Sequence, residues 1–287
     1  MAPAPSFETP QFGAPMVLAF LRHQKFNKAL RHGAARKAKL YGDLKPLHRF
    51  ASDRGSSLLG IFALSLHFSE QGLSVGGLQA MRAESNFCSA GRAAAFIATM
   101  RKRADFMPAD NKPRTRVSKL VISERFISFE RERLRADIES LEMLSPLGEF
   151  GLAHLDKPAF FAGYMRVAAR GLGRQANEHV REVEFFQERN TGLLALYDII
   201  AGSEDALESK PVAVSISQLS KRFDVSRTHI LRLLRDADAE GLVVWQADER
   251  LVTLTPKLVR ALHGYVAFIL AGSAYCIWMA AKELGLP

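Results

Sequence analysis

The chain has 287 residues, of which 48% are hydrophobic, enough for one large domain or two ordinary ones and too apolar for a disordered chain. A formal charge of +9 and a pI near 9.7 point to an anionic partner such as nucleic acid, although solvated basic helices would give the same balance. Two cysteines, Cys88 and Cys276, with no CxxC pair and no metal spacing, exclude a disulfide framework and fit a reduced, cytoplasmic protein.

The N-terminal run MAPAPSFETPQFGAP lacks a basic start and an apolar core. It reads as a disordered tail over residues 1–14, not as a signal peptide. Helical periodicity follows over Met16–Lys39 and Ser56–Glu70. The first 50 residues hold nine Lys/Arg against Glu8 and Asp43, most of the net charge. Further helical patterns cover Ala90–Arg103, Lys119–Leu144, Pro158–Arg170, Ala176–Ala201, Val225–Ala239 and Pro256–Glu283. Strand patterns are short: Asp105–Met107 with Thr115–Val117, and Leu242–Gln246 with Arg250–Leu254. Ser145-Pro146-Leu147-Gly148 and Gly171-Leu172-Gly173 read as breaks, and residues 202–211 as a polar connector. The middle of the molecule is expected near Pro146–Gly151, between regions 15–150 and 151–287. Tyr265–Ala281 is 17 residues without a charge. It reads as a buried core helix, with a membrane anchor as the alternative.

An internal repeat emerges at an offset of 137, which sets Ser89 on Ser226. Ala93, Phe96, Ile97 and Met100 then fall on Ile230, Leu233, Leu234 and Ala237. Phe106 falls on Val243, Val117 on Leu254 and Ser118 on Thr255; one extra residue upstream sets Met81 opposite Leu219. The second copy is the clearer. Ser215 caps a helix starting at Ile216, and Phe223 and Val225 bracket a turn. Ser226 caps a second helix with Ile230, Leu233 and Leu234 inward and Arg227, Thr228, His229 and Arg232 outward. Gly241 ends it, a hairpin follows, and Thr255-Pro256 opens a long helix.

This pattern predicts a helix-turn-helix with a wing, its second helix sized for a DNA major groove. Arg227 and Arg232 suit phosphates or guanine, Thr228 and His229 suit base edges, and Ser226 with the helix N-terminus suits a phosphate. Arg250 lies in the wing. The run from Arg227 to Arg235 contains no acid. The first copy differs. Its helix begins Ser89-Ala90-Gly91-Arg92-Ala93-Ala94-Ala95, and Ala and Gly cannot read bases by hydrogen bonds. Its wing region, 101–119, carries seven Lys/Arg against two acids, and Lys112, Arg114 and Arg116 suit phosphates or the minor groove. The expected target is therefore asymmetric, unless the first copy serves only as a packing partner.

The stretch SISQLSKRFDVSRTHILRLLRDADAEGLVVWQADERLVTLT resembles the winged helix-turn-helix of MarR-type transcriptional regulators, over about 45 residues. The resemblance implies a DNA-binding regulator, a dimeric arrangement on double-stranded DNA, and release by a small, often aromatic ligand. Two copies in one chain depart from that family. They imply a mainly α fold of tandem winged helix-turn-helix units (about 73–120 and 212–257) with short β-hairpin wings, joined by long helices as a single-chain pseudo-dimer, with further homodimerisation open.

No enzyme constellation is present: there is no GxxxxGK[ST], HExxH or GxSxG. No cofactor or metal is expected. His179 and Glu182 share a helix face without a third ligand, and His154 and Asp156 read as turn residues. Trp245 reads as wing packing. Phe160, Phe161, Tyr164, Phe185 and Phe186 read as core, with a small aromatic ligand pocket as the alternative. Three other functions compete: a winged-helix adaptor that binds protein, a membrane-tethered regulator, and an enzyme without a recognised motif.

Overall fold

The computed structural model describes residues 11–44, 54–86, 88–109, 118–175 and 180–286. It is mainly helical, with two small antiparallel sheets. In chain order come α1 (Ala14–Arg22), α2 (Phe26–Asp43), α3 (Arg54–His67), β1 (Leu73–Ser74), α4 (Val75–Ser85) and α5 (Ala90–Lys102). Then follow β2 (Phe106–Pro108), β3 (Lys119–Ile122), α6 (Glu124–Glu142), α7 (Pro146–His154) and α8 (Pro158–Gln175). The remainder is α9 (Arg181–Gln187), α10 (Gly192–Gly202), a short 3-10 turn (Glu204–Glu208), β4 (Val212–Ala213), α11 (Ile216–Arg222), α12 (Arg227–Ala239), β5 (Val243–Gln246), β6 (Leu251–Leu254) and α13 (Pro256–Glu283).

The chain divides into two compact units, neither continuous in sequence. The first takes Met1–Met16, Gly55–Glu178 and Ala271–Pro287; the second takes Val17–Arg54 and His179–Leu270. The expected midpoint at Pro146–Gly151 therefore lies inside the first unit. Pro146 is the first residue of α7 and Ser145 is its cap, accepting from the Leu147 N–H at 3.3 Å, so this stretch starts a helix. Gly171–Gly173 does not break α8, which runs on to Gln175. Glycine weakens a helix interior by only about 1 kcal/mol, less than neighbouring turns contribute.

Each unit carries one three-stranded sheet of the same topology, with the last strand in the middle: β1-β3-β2 and β4-β6-β5. Ser89 and Ser226 each cap the following helix, accepting from the Arg92 and His229 N–H groups at 3.2 and 3.0 Å. Ala104 and Gly241 each end it in the left-handed region, at φ of 57° and 65°. The N–H of Asp105 then bonds the Met100 carbonyl and that of Leu242 bonds the Ala237 carbonyl, both at 2.9 Å. The offset of 137 holds from cap to first strand.

It does not hold on either side. Phe106 pairs with Ile122 and Val243 with Leu254, so the first hairpin is five residues longer, and Ile122 takes the place expected of Val117. Val117, with the Thr115–Val117 strand, lies outside the described residues. Ser123, not Ser118, then matches Thr255: their N–H groups bond the Asp105 and Leu242 carbonyls at 2.9 and 3.0 Å. Upstream, the caps Ser74 and Ser215 bring Leu78 opposite Leu219, both buried, while Met81 is only half-buried. The first copy has four extra residues there, not one, from Ser74 to Ser89 against Ser215 to Ser226. Lys119–Ile122, expected as helix, is a strand because Leu120 and Ile122 alternate inward before Ser123 caps α6.

In the first unit Phe96, Phe106 and Phe126 stack edge to face at 5.8 and 6.2 Å and join α5, β2 and α6. In the second, α2 buries its small residues Ala29, Ala34 and Ala38 and lies along α10. Helix α13 is the one described helix long and apolar enough to cross a membrane. One face is core, including Leu262, Leu270, Ala274 and Ile277, while Gly272 and Tyr275 on the other are exposed. Cys276 is on the buried face, and burial pushes its thiol up to about 12. Cys88 is half-buried. Because the thiolate is the nucleophile, Ellman's reagent at pH 8 should titrate Cys88 in the native protein and Cys276 only after denaturation. Two equivalents without denaturant would contradict this packing.

Candidate nucleic-acid interface

In the second unit, α12 presents its first turn to solvent. Ser226, Arg227, Thr228, Arg232 and Arg235 are exposed, while Ile230, Leu233, Leu234 and Ala237 are buried beneath them. The apolar residues recur at helical spacing, so burying that stripe forces the basic residues outward. Phe223, fully buried in the turn, fixes the angle between α11 and α12. The Arg227 guanidinium donates to Ser217 Oγ at 3.3 Å, which brings the starts of α11 and α12 together. The unbonded N–H groups of the first turn and the helix dipole add a positive end to this surface.

The acids of α12 are kept from it. They occupy its second half, and Asp238 accepts the Trp245 N–H at 3.1 Å on the hairpin. Asp198 pairs with Arg222. Glu182 sits at the start of α9, where its own backbone N–H and then Lys257, at 3.3 Å, hold its carboxyl below the usual range. His179 lies outside the described residues. Arg250 adopts φ 56° at the hairpin tip; its carbonyl accepts the Val214 N–H and its side chain is exposed. Trp245 is half-buried against the hairpin.

His229 is placed differently from its neighbours. It is half-buried, and its Nε2 lies 2.8 Å from the Asn190 carbonyl in the turn between α9 and α10. This tertiary contact has no local sequence signal.

In the first unit, α5 and its cap expose Ser89, Ala90, Gly91, Arg92, Ala94, Ala95 and Ala98. Of the basic residues between Arg101 and Lys119, Lys112, Arg114 and Arg116 lie outside the described residues. Arg103 is committed elsewhere: it donates to the buried Asp105 carboxylate at 2.9 Å, as do Arg125 at 2.7 Å and Ser123 at 2.9 Å. In the sequence Asp105 is one charge set against a basic wing; in the structure it is the centre of a buried ion cluster.

The other singled-out residues serve packing. Phe160, Phe161 and Tyr164 are core in the first unit, where the Tyr164 hydroxyl donates to Ser273 at 3.1 Å. Phe186 is core in the second unit, and Phe185 stacks under the Arg189 guanidinium. The two aromatic groups thus belong to different units. His154 stacks on Phe150 at 4.3 Å within α7, and Asp156 accepts from Arg135 at 2.6 Å. Among the described residues no group of His, Cys, Asp and Glu converges to hold a metal. No family model, curated protein or solved structure matches the chain.

Proposed function

We propose that the protein is a sequence-specific DNA-binding transcriptional regulator, and that its two repeats are winged helix-turn-helix units like those of MarR-type regulators. The observation that carries this reading is the first half of α12. It is a capped, exposed helix start bearing Arg227, Thr228 and Arg232, with its acids turned to the hairpin or confined to its far end. The shared order of strand, two helices and hairpin in both units supports it.

In this mechanism α12 enters the major groove. Arg227 and Arg232 bond guanine edges or phosphates, Thr228 reaches a base edge, and the helix start and Arg250 hold backbone. Helix α5 has no comparable set, because the positions of Arg227, Thr228 and Arg232 are Ala90, Gly91 and Ala95. The target is therefore asymmetric, with its base-specific contacts concentrated under α12.

A salt titration of binding to random duplex DNA tests the reading. Wild-type affinity falls steeply with salt, and Arg227→Ala/Arg232→Ala flattens the log–log slope by about two, one for each lost phosphate contact. If neither protein binds at low salt, the DNA reading is wrong and the helical pair is next tested as a protein-interaction module.

A further inference from the structure

We infer that His229 is a positioning residue that fixes the reading helix against the body of its unit, and that it is not one of the base readers. The inference rests on the DNA-binding reading above.

The turn that receives His229 is unusually constrained. Thr191 is fully buried and sits in the left-handed region at φ 60°, which a β-branched residue avoids. Its hydroxyl donates to the Asn190 carbonyl at 2.6 Å. The next residue, Gly192, donates its N–H to the Arg189 carbonyl at 2.9 Å, and a Cβ there would stand 2.4 Å from the Phe186 carbonyl oxygen. The direction of the Asn190 carbonyl is therefore set by the α9–α10 backbone, and it is aimed at α12.

A carbonyl only accepts, so the bond assigns a hydrogen to His229 Nε2. The main-chain N–H of the same residue bonds the cap, Ser226 Oγ, at 3.0 Å. One residue thus ties the cap and the helix to the α9–α10 turn. Bidentate contacts from Arg227 and Arg232 tolerate little displacement, so the clamp governs how well all the readers fit at once. A base reader would act on one base pair; a clamp acts on every contacted pair.

The test compares wild type, His229→Ala and His229→Gln on a duplex selected by the wild type, on every single-base variant of it, and on random DNA. Tautomer is read by ¹⁵N NMR of the imidazole. We expect Nε2–H in the free protein. We expect His229→Ala to bind the selected site about fivefold more weakly, the worth of one ordinary hydrogen bond. Its mismatch penalties should shrink at all contacted base pairs, with random-DNA affinity and salt slope unchanged. His229→Gln keeps an N–H donor and recovers most of the loss. A penalty lost at one base pair alone makes His229 a base reader and overturns the proposal, as does a ring with no hydrogen on Nε2 or wild-type behaviour of the alanine variant. Absence of any wild-type DNA binding is a different result: it removes the DNA reading itself, and this proposal with it.

Discussion

Gly148→Ala is expected to destabilise the protein by about 3 kcal/mol or more, through overpacking against backbone. A Cβ at this position would fall 2.1 Å from the Glu142 nitrogen, 2.3 Å from its Cα and 2.7 Å from the Leu141 carbonyl carbon. All three are main-chain atoms at the end of α6, so no rotamer change makes room. Helices α6 and α7 would have to separate, exposing Ile138, Leu141 and Leu147, which are now buried. Gly171→Ala in α8 is the control. Nothing lies within 4 Å of its Cβ position, and a mid-helix Gly-to-Ala change there gains roughly 0.5–1 kcal/mol. Urea denaturation followed by circular dichroism reads both. Equal midpoints for the two variants would show that α6 and α7 do not meet as described.

Asp105→Ala is expected to cost about 3 kcal/mol. The carboxylate is fully buried and accepts from Arg103, Arg125 and Ser123. Removing it strands the Ser123 hydroxyl and empties a core position. The cost stays below that of a fully buried ion pair because the Arg125 side chain is 56% exposed and can return to water. The second repeat has Leu242 at the matching place, buried to 3% exposure. Asp105→Leu should therefore lose less than Asp105→Ala, since both remove the same carboxylate but leucine refills the core position that alanine empties. The same denaturation series decides it; a leucine variant worse than the alanine one would show that the two corners are not built alike.

The starts of α5, α11 and α12 were legible in the sequence because they are local. Ser89, Ser215 and Ser226 each bond the N–H three residues ahead, and serine before an apolar period announces that geometry. The exposed basic start of α12 was legible for the same reason. Insertions were not. Apolar alternation continues through a lengthened hairpin, so nothing in the pattern distinguished Val117 from Ile122 as the partner of Phe106. Tertiary contacts were invisible as well. Asn190 and His229 are 39 positions apart, and neither the buried carboxylate of Asp105 nor the clamp on His229 leaves a trace in spacing. Discontinuity was hidden too, because no compositional shift marks where α1 and α13 pass from one unit to the other.

That discontinuity bears on how the chain is made. The second unit needs residues up to Leu270 and the first needs those beyond it. Both requirements meet in α13, the last of these elements to be translated. A ribosome therefore delivers every preceding element before either unit has all of its segments. The early-synthesised α2 must wait for α10, the helix it lies along. A premature stop before α13 leaves both units short of a segment, and apolar surface left open in that way is what chaperones hold during synthesis.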